Sequence, residues 1–393
     1  MTASATGGPG RAGLLDFIRR AERTTRRAIA DHTGLSRSVV AQTVAELIEL
    51  GVVVERRLEA GRASGRGRPT AVLELARQPG VVLACDIGHR HVTVAVSELA
   101  GGVLAESSVE LAVDDGVAPT VRALHRLIAR MLPAAGARMA DVAALGVSFP
   151  FPVLRPSGAV RAPSALPGWS GATAEAVRPP GFSGPIVADN DANFGAWGER
   201  MHGGTALDDM LYVKLGDGIG AGLVAGGRLL AGARGAGGEM GHIQVEPGGL
   251  LCRCGGHGCL ETVVAASLPD EHLAGLRVGR AIAQLCSFVD TSVVVLGGRF
   301  GAAGGALVDG VREAVARFSP AGESRVEVRV AALGARAELA GIVDRTVSAA
   351  WASGIAMPGS GSPSSVHPFV LSSWDRTNSP AVLEHPLRDE RVS

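Results

Sequence analysis

The chain is poor in lysine and cysteine and has no long apolar run, and each scarcity excludes something. Of its 38 lysines and arginines only Lys214 is a lysine, so the wealth of arginine partly reflects a GC-rich coding bias, and arginine number alone is no argument for nucleic acid. Five cysteines, three of them clustered, do not make a disulfide framework and suit a reducing compartment. No hydrophobic stretch approaches the roughly 20 residues that cross a bilayer. Near the N-terminus the pairs Leu14-Leu15 and Phe17-Ile18 are split by Asp16 and followed by Arg19 and Arg20, which breaks any signal-peptide core. A cytoplasmic location is expected. The 393 residues are 46% apolar, enough for real cores in a chain long enough for more than one domain. Net charge is zero, yet residues 1–80 hold 13 Arg against 8 Asp and Glu, a local excess of 13 − 8 = +5. That asymmetry suits a nucleic-acid-binding module at this end.

The densest chemistry lies in Gly241-His242 and the run Cys252-Arg-Cys254-Gly-Gly-His-Gly-Cys259-Leu-Glu261. His242, Cys252, Cys254 and Cys259 offer a closed Cys₃His shell of the kind that holds structural Zn²⁺, with no open position for hydrolysis. The other reading takes the three cysteines as small buried hydrophobes; their crowding among glycines favours the metal. Cys85 and Cys286 lie in apolar runs and are expected in the core.

In the N-terminal segment apolar residues recur at helical spacing from Leu14 to Glu22, and a short helix is expected from Arg26 to about His32. Thr33-Gly34-Leu35-Ser36 then reads as the turn of a helix-turn-helix, with glycine ending one helix and Ser36 capping the next. The helix Ser36 to Leu50 places Val40, Val44, Leu47 and Ile48 on one face. Its outer side near the start presents Ser36, Arg37, Ser38, Ala41 and Gln42, where a recognition helix meets base edges. A strand follows Gly51, and the Arg62 to Pro69 run, with Arg66 and Arg68, reads as a wing tip or linker reaching phosphates or a minor groove. A plain three-helix bundle with a solvated arginine face is the alternative.

Beyond Pro79 the pattern changes to short β-branched strands between glycines. Strands are predicted at Val81 to Ile87, His91 to Ser97, Val103 to Leu111 and Val142 to Val147, with a helix near Thr120 to Leu132. A second half repeats the theme: a strand at Pro185 to Asp189, a helix from Ala192 to Met201, a hairpin of Met210 to Leu215 with Gly220 to Ala225, and a strand at Val293 to Leu296. Two α/β halves imply a cleft between lobes.

From about Val81 to Ile342 the chain resembles the ROK family of bacterial sugar-responsive repressors and sugar kinases. The resemblance is carried by Asp86-Ile-Gly88, Asp189-Asn190-Asp191-Ala-Asn193, Gly216-Asp-Gly-Ile-Gly-Ala-Gly222, Glu239-Met-Gly241-His242, the Cys-x-Cys-Gly-x-x-Gly-Cys-x-Glu run, Val295-Leu-Gly-Gly298 and Gly334-Ala-Arg-Ala-Glu-Leu. It implies an α/β architecture: a winged helix-turn-helix over residues 1–78, then a two-lobed actin-like, ribonuclease-H-like ATPase fold over 79–350. Residues 351–393, rich in Pro, Ser and Gly, are expected to form a disordered tail. By the same resemblance Asn190, Asp191, Glu239, His242 and Glu261 contact a hexose or amino sugar, His242 serving zinc with one ring nitrogen and sugar with the other. The bland reading of Asp191 and Glu261 is decoration of helix starts.

The implied function is a sequence-specific DNA-binding regulator, a repressor of carbohydrate genes acting as a homodimer on a double-stranded operator, with a sugar effector and a structural Zn²⁺. The alternative is an ATP-dependent sugar kinase with an added DNA-binding domain, Asp191 then being the general base. Against it, His89-Arg90 replaces the small phosphate-holding pair after the first Asp-x-Gly. Asp217 stands where the kinases carry Thr, placing a negative charge towards ATP phosphates. No catalytic residue is expected. A third reading, a ligand-blind DNA-binding protein, is favoured by a segment between Glu261 and Val293 shorter than the family's helical region.

Overall fold

The computed structural model describes residues 11–21, 23–49, 51–57, 71–76, 80–163, 165–204, 207–319, 326–353 and 369–371. The chain begins with α1 (Arg11–Arg20), α2 (Arg26–Thr33) and α3 (Arg37–Glu49). The Thr25 hydroxyl accepts from the Ala28 amide at 3.2 Å and caps α2. Gly34, at φ +68°, takes the left-handed conformation that closes α2 and that a Cβ would disfavour. Ser36 Oγ then accepts from the Val39 amide at 3.3 Å and opens α3. These caps make the expected turn. Val40, Val44 and Leu47 are buried against Leu14, Leu15, Ile18 and Ile29, with Ile48 at the margin of the cluster. The antiparallel pair β1 (Val53–Arg57) and β2 (Ala71–Leu75) completes a winged helix-turn-helix. Arg66 and Arg68 lie outside the described residues.

The first lobe holds β3 (Val81–Ile87), β4 (His91–Glu98), β5 (Val103–Glu110), α4 (Val117–Ala134), β6 (Val142–Phe149), the small hairpin β7 (Val153–Leu154) and β8 (Ala159–Val160), and β9 (Ile186–Asn190). Its sheet runs β5-β4-β3-β6-β9, the first three strands antiparallel and the last two parallel to β3. Strands β3 and β6 are buried along their whole length, which is why they read as unbroken apolar runs.

The second lobe contains α5 (Asp191–His202), β10 (Met210–Leu215), β11 (Ile219–Ala225), β12 (Arg228–Leu229), α6 (Leu260–Ala265), α7 (Glu271–Val289), β13 (Val293–Gly297), α8 (Gly298–Ala303), α9 (Gly305–Phe318) and β14 (Glu327–Val330), after which α10 (Ala337–Ala352) returns to pack on β3 and β6 of the first lobe. Its sheet order, β12-β11-β10-β13-β14, repeats the topology of the first lobe strand for strand. That repetition is the actin-like, ribonuclease-H-like architecture. The segment after Glu261 is filled by α6 and by the 19-residue α7, packed on α9.

Helices α5 and α10 cross at the junction of the lobes. A Cβ on Gly198 would lie 2.0 Å from the Ala337 carbonyl oxygen, and one on Gly341 would lie 1.9 Å from that of Phe194, so glycine at both positions permits the close approach. One expectation is corrected here. Within the tail predicted to lack structure, β15 (Phe369–Leu371) pairs in parallel with the outer edge of β9. An open edge offers backbone partners, and Phe-Val-Leu is a β-prone triplet. Residues 354–368 and 372–393 lie outside the described residues.

The winged domain is joined to the lobes by a buried carboxylate. Asp344 of α10 meets Arg19 at 2.7 Å and Arg20 at 3.2 Å, both from α1. It also meets Trp197 Nε1 at 2.8 Å and His202 Nε2 at 3.2 Å, both from α5. Burial alone would raise its pKa; the Arg19 charge, His202 and Arg20 outweigh that and hold it well below the usual range. Asp344→Ala removes the buried carboxylate on which the two guanidinium groups meet and should cost about 3–5 kcal/mol. Amide exchange across residues 14–20 would rise with it; unchanged protection there would show that α1 is held by something else.

Candidate functional site

Five polar side chains converge on one cleft of ≈ 850 Å³ between the lobes: Asn190, Asp191, Glu239, His242 and Glu261 all line it. Each is placed by a chain reversal. Asn190 ends β9 and caps α5, its Oδ1 accepting from the Ala192 amide at 2.9 Å, so Asp191 starts the helix at the cleft floor. Glu239 and His242 flank a short turn, and Glu261 sits in the first turn of α6, where its Oε2 accepts from the Ile219 amide at 3.1 Å. Neighbouring Asp189 faces inward, accepting from Asn193 Nδ2 at 2.8 Å and pairing with Arg155 at 3.4 Å. The positions read as helix-start decoration thus share a single concavity.

Beneath them lies a group of charges that sequence reasoning did not assemble. Lys214 Nζ sits 2.8 Å from Asp191 Oδ2 and 3.5 Å from Glu338 Oε1. Burial would lower the Lys214 pKa, but the charges of Asp191, Glu338 and Asp86 raise it. Its ammonium stays protonated. Asp86 accepts from Ser148 Oγ at 2.5 Å and pairs with His91 Nε2 at 3.0 Å. Burial pushes Asp86 up, whereas His91, Lys214 and Ser148 together bring it down to about 2. Glu239 behaves in the opposite way: burial, reinforced by Asp191 and Glu261, raises it to about 7. The only available hint of this floor was a lone lysine in a chain that otherwise uses arginine.

His242, Cys252, Cys254 and Cys259 come together with their ligand atoms all within 4.8 Å of one another. His242 Nδ1 is 3.5 Å from Cys252 Sγ, and Cys254 Sγ is 3.6 Å from Cys259 Sγ. A tetrahedral ion with bonds of about 2.3 Å to sulfur requires ligand atoms about 3.7 Å apart, so the donor set fits such an ion. Cys85 and Cys286 are buried away from it, as expected.

At the glycine loops, His89 is bonded to Asp114 at 2.7 Å. Arg90 also lines the cleft. The Asp217 charge does not stand alone towards the cleft, because Arg299 pairs with it at 3.0 Å. On the winged domain Ser36, Arg37, Ser38 and Gln42 are all exposed at the start of α3. The two serine hydroxyls lie 2.9 Å apart, and Gln42 Nε2 reaches Glu46 at 3.4 Å.

A helix-turn-helix joined to two lobes around a cleft of paired carboxylates and amides defines a class of fold: a winged helix-turn-helix head on a sugar-kinase-type body. The sequence of the lobes is similar to the ROK family. Residues 82–268 match the family model described as ROK, and residues 8–63 match the one described as MarR family. It is 29% identical over 238 residues to a xylose repressor of Caldicellulosiruptor bescii, covering 60% of this chain and 59% of that protein. Over the four xylose repressors it matches, the chain spans 59% to 66% of their length. Among solved structures, a ROK family transcriptional regulator described as a homologue of the E. coli MLC protein superposes with TM-score 0.63 at 22% identity, covering 86% of this chain and 98% of that one. At that identity the likeness speaks for the fold. A ROK family glucokinase from Streptomyces griseus, solved with glucose and AMPPNP, gives TM-score 0.57 at 26% identity, covering 67% and 98%.

The Asp86–His91 pair makes a pH prediction. His91 is raised above its ordinary 6.5, chiefly by the hydrogen bond it donates to Asp86, so its contribution to stability is present below 6.5 and is lost as pH rises through the raised value. The Asp86 contribution is present above the usual carboxylate range and fades as pH falls to about 2. In an NMR titration the His91 imidazole should titrate above 6.5, and Asp86→Asn should bring it down. A midpoint unmoved by that substitution would remove the pair from the account.

Proposed function

We propose that the protein is a sequence-specific DNA-binding regulator, a repressor of carbohydrate-metabolism genes whose DNA affinity is changed by a sugar or sugar derivative. The observation that carries this reading is the union in one folded body of an exposed recognition-helix start and a cleft gathering five sugar-type side chains. In this reading the protein works in the cytoplasm as a homodimer on a palindromic operator, each half-site read by α3. Ser36, Arg37, Ser38 and Gln42 address base edges, while Arg66 and Arg68 address phosphates or a minor groove.

Sugar hydroxyls are discriminated by buried groups whose partners go missing when the wrong sugar binds. Asn190 and Asp191 at the floor, with Glu239, His242 and Glu261 on the second lobe, form such a set. Zn²⁺ is the ion that best suits a Cys₃His donor set; when bound it supplies a structural crosslink. The chain's own part is orientation: His242 Nδ1 turns to Cys252, so Nε2 lies on the Glu239 side, at 4.0 Å from Oε2. Helix α5 begins at Asp191 in the cleft and ends with His202 on Asp344, the residue holding α1. A sugar shifts DNA affinity only if it binds two arrangements of these parts unequally.

Phosphoryl transfer is the weaker reading. A general base at Asp191 would have to work while paired with the Lys214 ammonium at 2.8 Å, and His89, in place of a small residue, lies at the glycine loop. The decisive experiment is calorimetry with xylose, glucose and N-acetylglucosamine. One sugar should bind, with affinity reduced at least tenfold by Asp191→Asn and also by metal chelation, and DNA binding of the Asp191→Asn variant should be intact. Equal binding by wild type and variant would remove the cleft as the sugar site, and sugar-dependent ADP release would restore the kinase.

A further inference from the structure

Arg253 stands between two ligands of the metal cluster, Cys252 and Cys254, so its backbone belongs to the second lobe. Its side chain does not stay there. Nε lies 2.9 Å from Glu261 Oε1 and Nη2 donates to the Asp217 carbonyl oxygen at 3.1 Å, both within the second lobe. Nη1 crosses the cleft to Asp114 Oδ2 at 3.2 Å on the first lobe, the carboxylate to which His89 Nδ1 also donates at 2.7 Å. The receiving end is itself fixed. Asp114 is bonded to His89 at 2.7 Å, and the turn that carries it is pinned by Trp169 Nε1 donating to the Val113 carbonyl oxygen at 2.8 Å.

We propose that Arg253 is a positioning residue that latches the two lobes together in the ligand-free protein, holding Glu261 in the same grip. This rests on the reading above only in taking Glu261 as a sugar ligand. Three features favour a latch over an ordinary surface ion pair. All three guanidinium nitrogens are used, in a planar fork that arginine offers and lysine does not. The Glu261 side chain is 12% exposed and that of Arg253 27%, so solvent screens the group less than it screens a free surface pair. The surroundings are also tight: a Cβ on Gly218 would lie 3.0 Å from Glu261 Oε2 and 3.3 Å from His89 Nε2. A ligand hydroxyl that needs Glu261 Oε1 must therefore replace Arg253 Nε, and the partner it loosens is the contact to Asp114 on the opposite lobe.

The test uses ligand-free full-length protein and needs no sugar, so it can fail independently of the functional reading. Hydrogen exchange over residues 88–91 and 113–116, together with the radius of gyration from small-angle scattering, is compared among variants. Arg253→Ala could disturb the metal cluster by its position; Asp114→Asn cuts the same contact from the other lobe and leaves the cluster alone. Both should accelerate exchange in the two segments several-fold and increase the radius of gyration. Asp114→Asn also weakens the His89 pair, so the double variant should go no further than Asp114→Asn alone, as for two halves of one interaction, and Arg253→Lys should recover part of the protection. Arg336→Ala, which removes an exposed ion pair to Glu106 at 2.8 Å, should leave both segments unchanged. Wild-type exchange and dimensions in Asp114→Asn, or additive effects in the double variant, would overturn the latch.

Discussion

The buried carboxylate of Asp344 is the point at which the two halves of this chain become one object. Two guanidinium groups from α1, an indole N–H and an imidazole from α5 meet on it, at a site where an unpaired charge would be costly. Around it a single apolar cluster runs from Leu14, Ile18 and Val44 of the winged domain to Leu339, Ile342 and Trp351 of α10. A DNA-reading head hung on a loose linker would feel little of what happens in the cleft. Here the head shares both a core and a charge network with the helix that frames the lobes, and α5 reaches that network from the cleft floor.

The cleft follows a second constraint, the balancing of charge in a partly dry space. Asp86, Asp191 and Glu338 surround Lys214, with His91 on Asp86. Such a floor is polar and hydrogen-bonded, its three carboxyls offset in part by Lys214 and His91. Across the cleft Glu239 is raised to about 7 by burial beside Asp191 and Glu261, so the rim can hold a carboxyl able to donate as well as accept. The donor cluster of His242, Cys252, Cys254 and Cys259 brings the turn of His242 beside the start of α6.

Much of this was legible in residue order wherever the cause is local. Gly34 and Ser36 specify a helix end and a helix start two residues apart, so the helix-turn-helix could be read directly. Strands β3 and β6 are buried runs rich in Val, Ala and Leu, and β10 is a shorter apolar run ending at Gly216; their limits fell within a few residues of expectation. The metal ligands crowd into one short segment, and the five cleft residues sit on local motifs. What could not be read depends on distance along the chain. Asp344 and Arg19 are 325 positions apart, and nothing near either announces the other. The Lys214–Asp191 contact, Arg299 screening Asp217 and the reach of Arg253 to Asp114 all arise from lobe packing. The β15 strand was hidden because its polar, proline-rich surroundings outweighed a three-residue apolar triplet.

The central claim is that one chain couples a sugar cleft to a DNA-reading helix. Fluorescence anisotropy of the full-length protein on DNA from its own upstream region, at fixed salt, with and without xylose, glucose and N-acetylglucosamine, tests it most directly. The account predicts tight, specific binding that one sugar weakens at least tenfold. Specific binding indifferent to every sugar, or no specific binding at all, would contradict it.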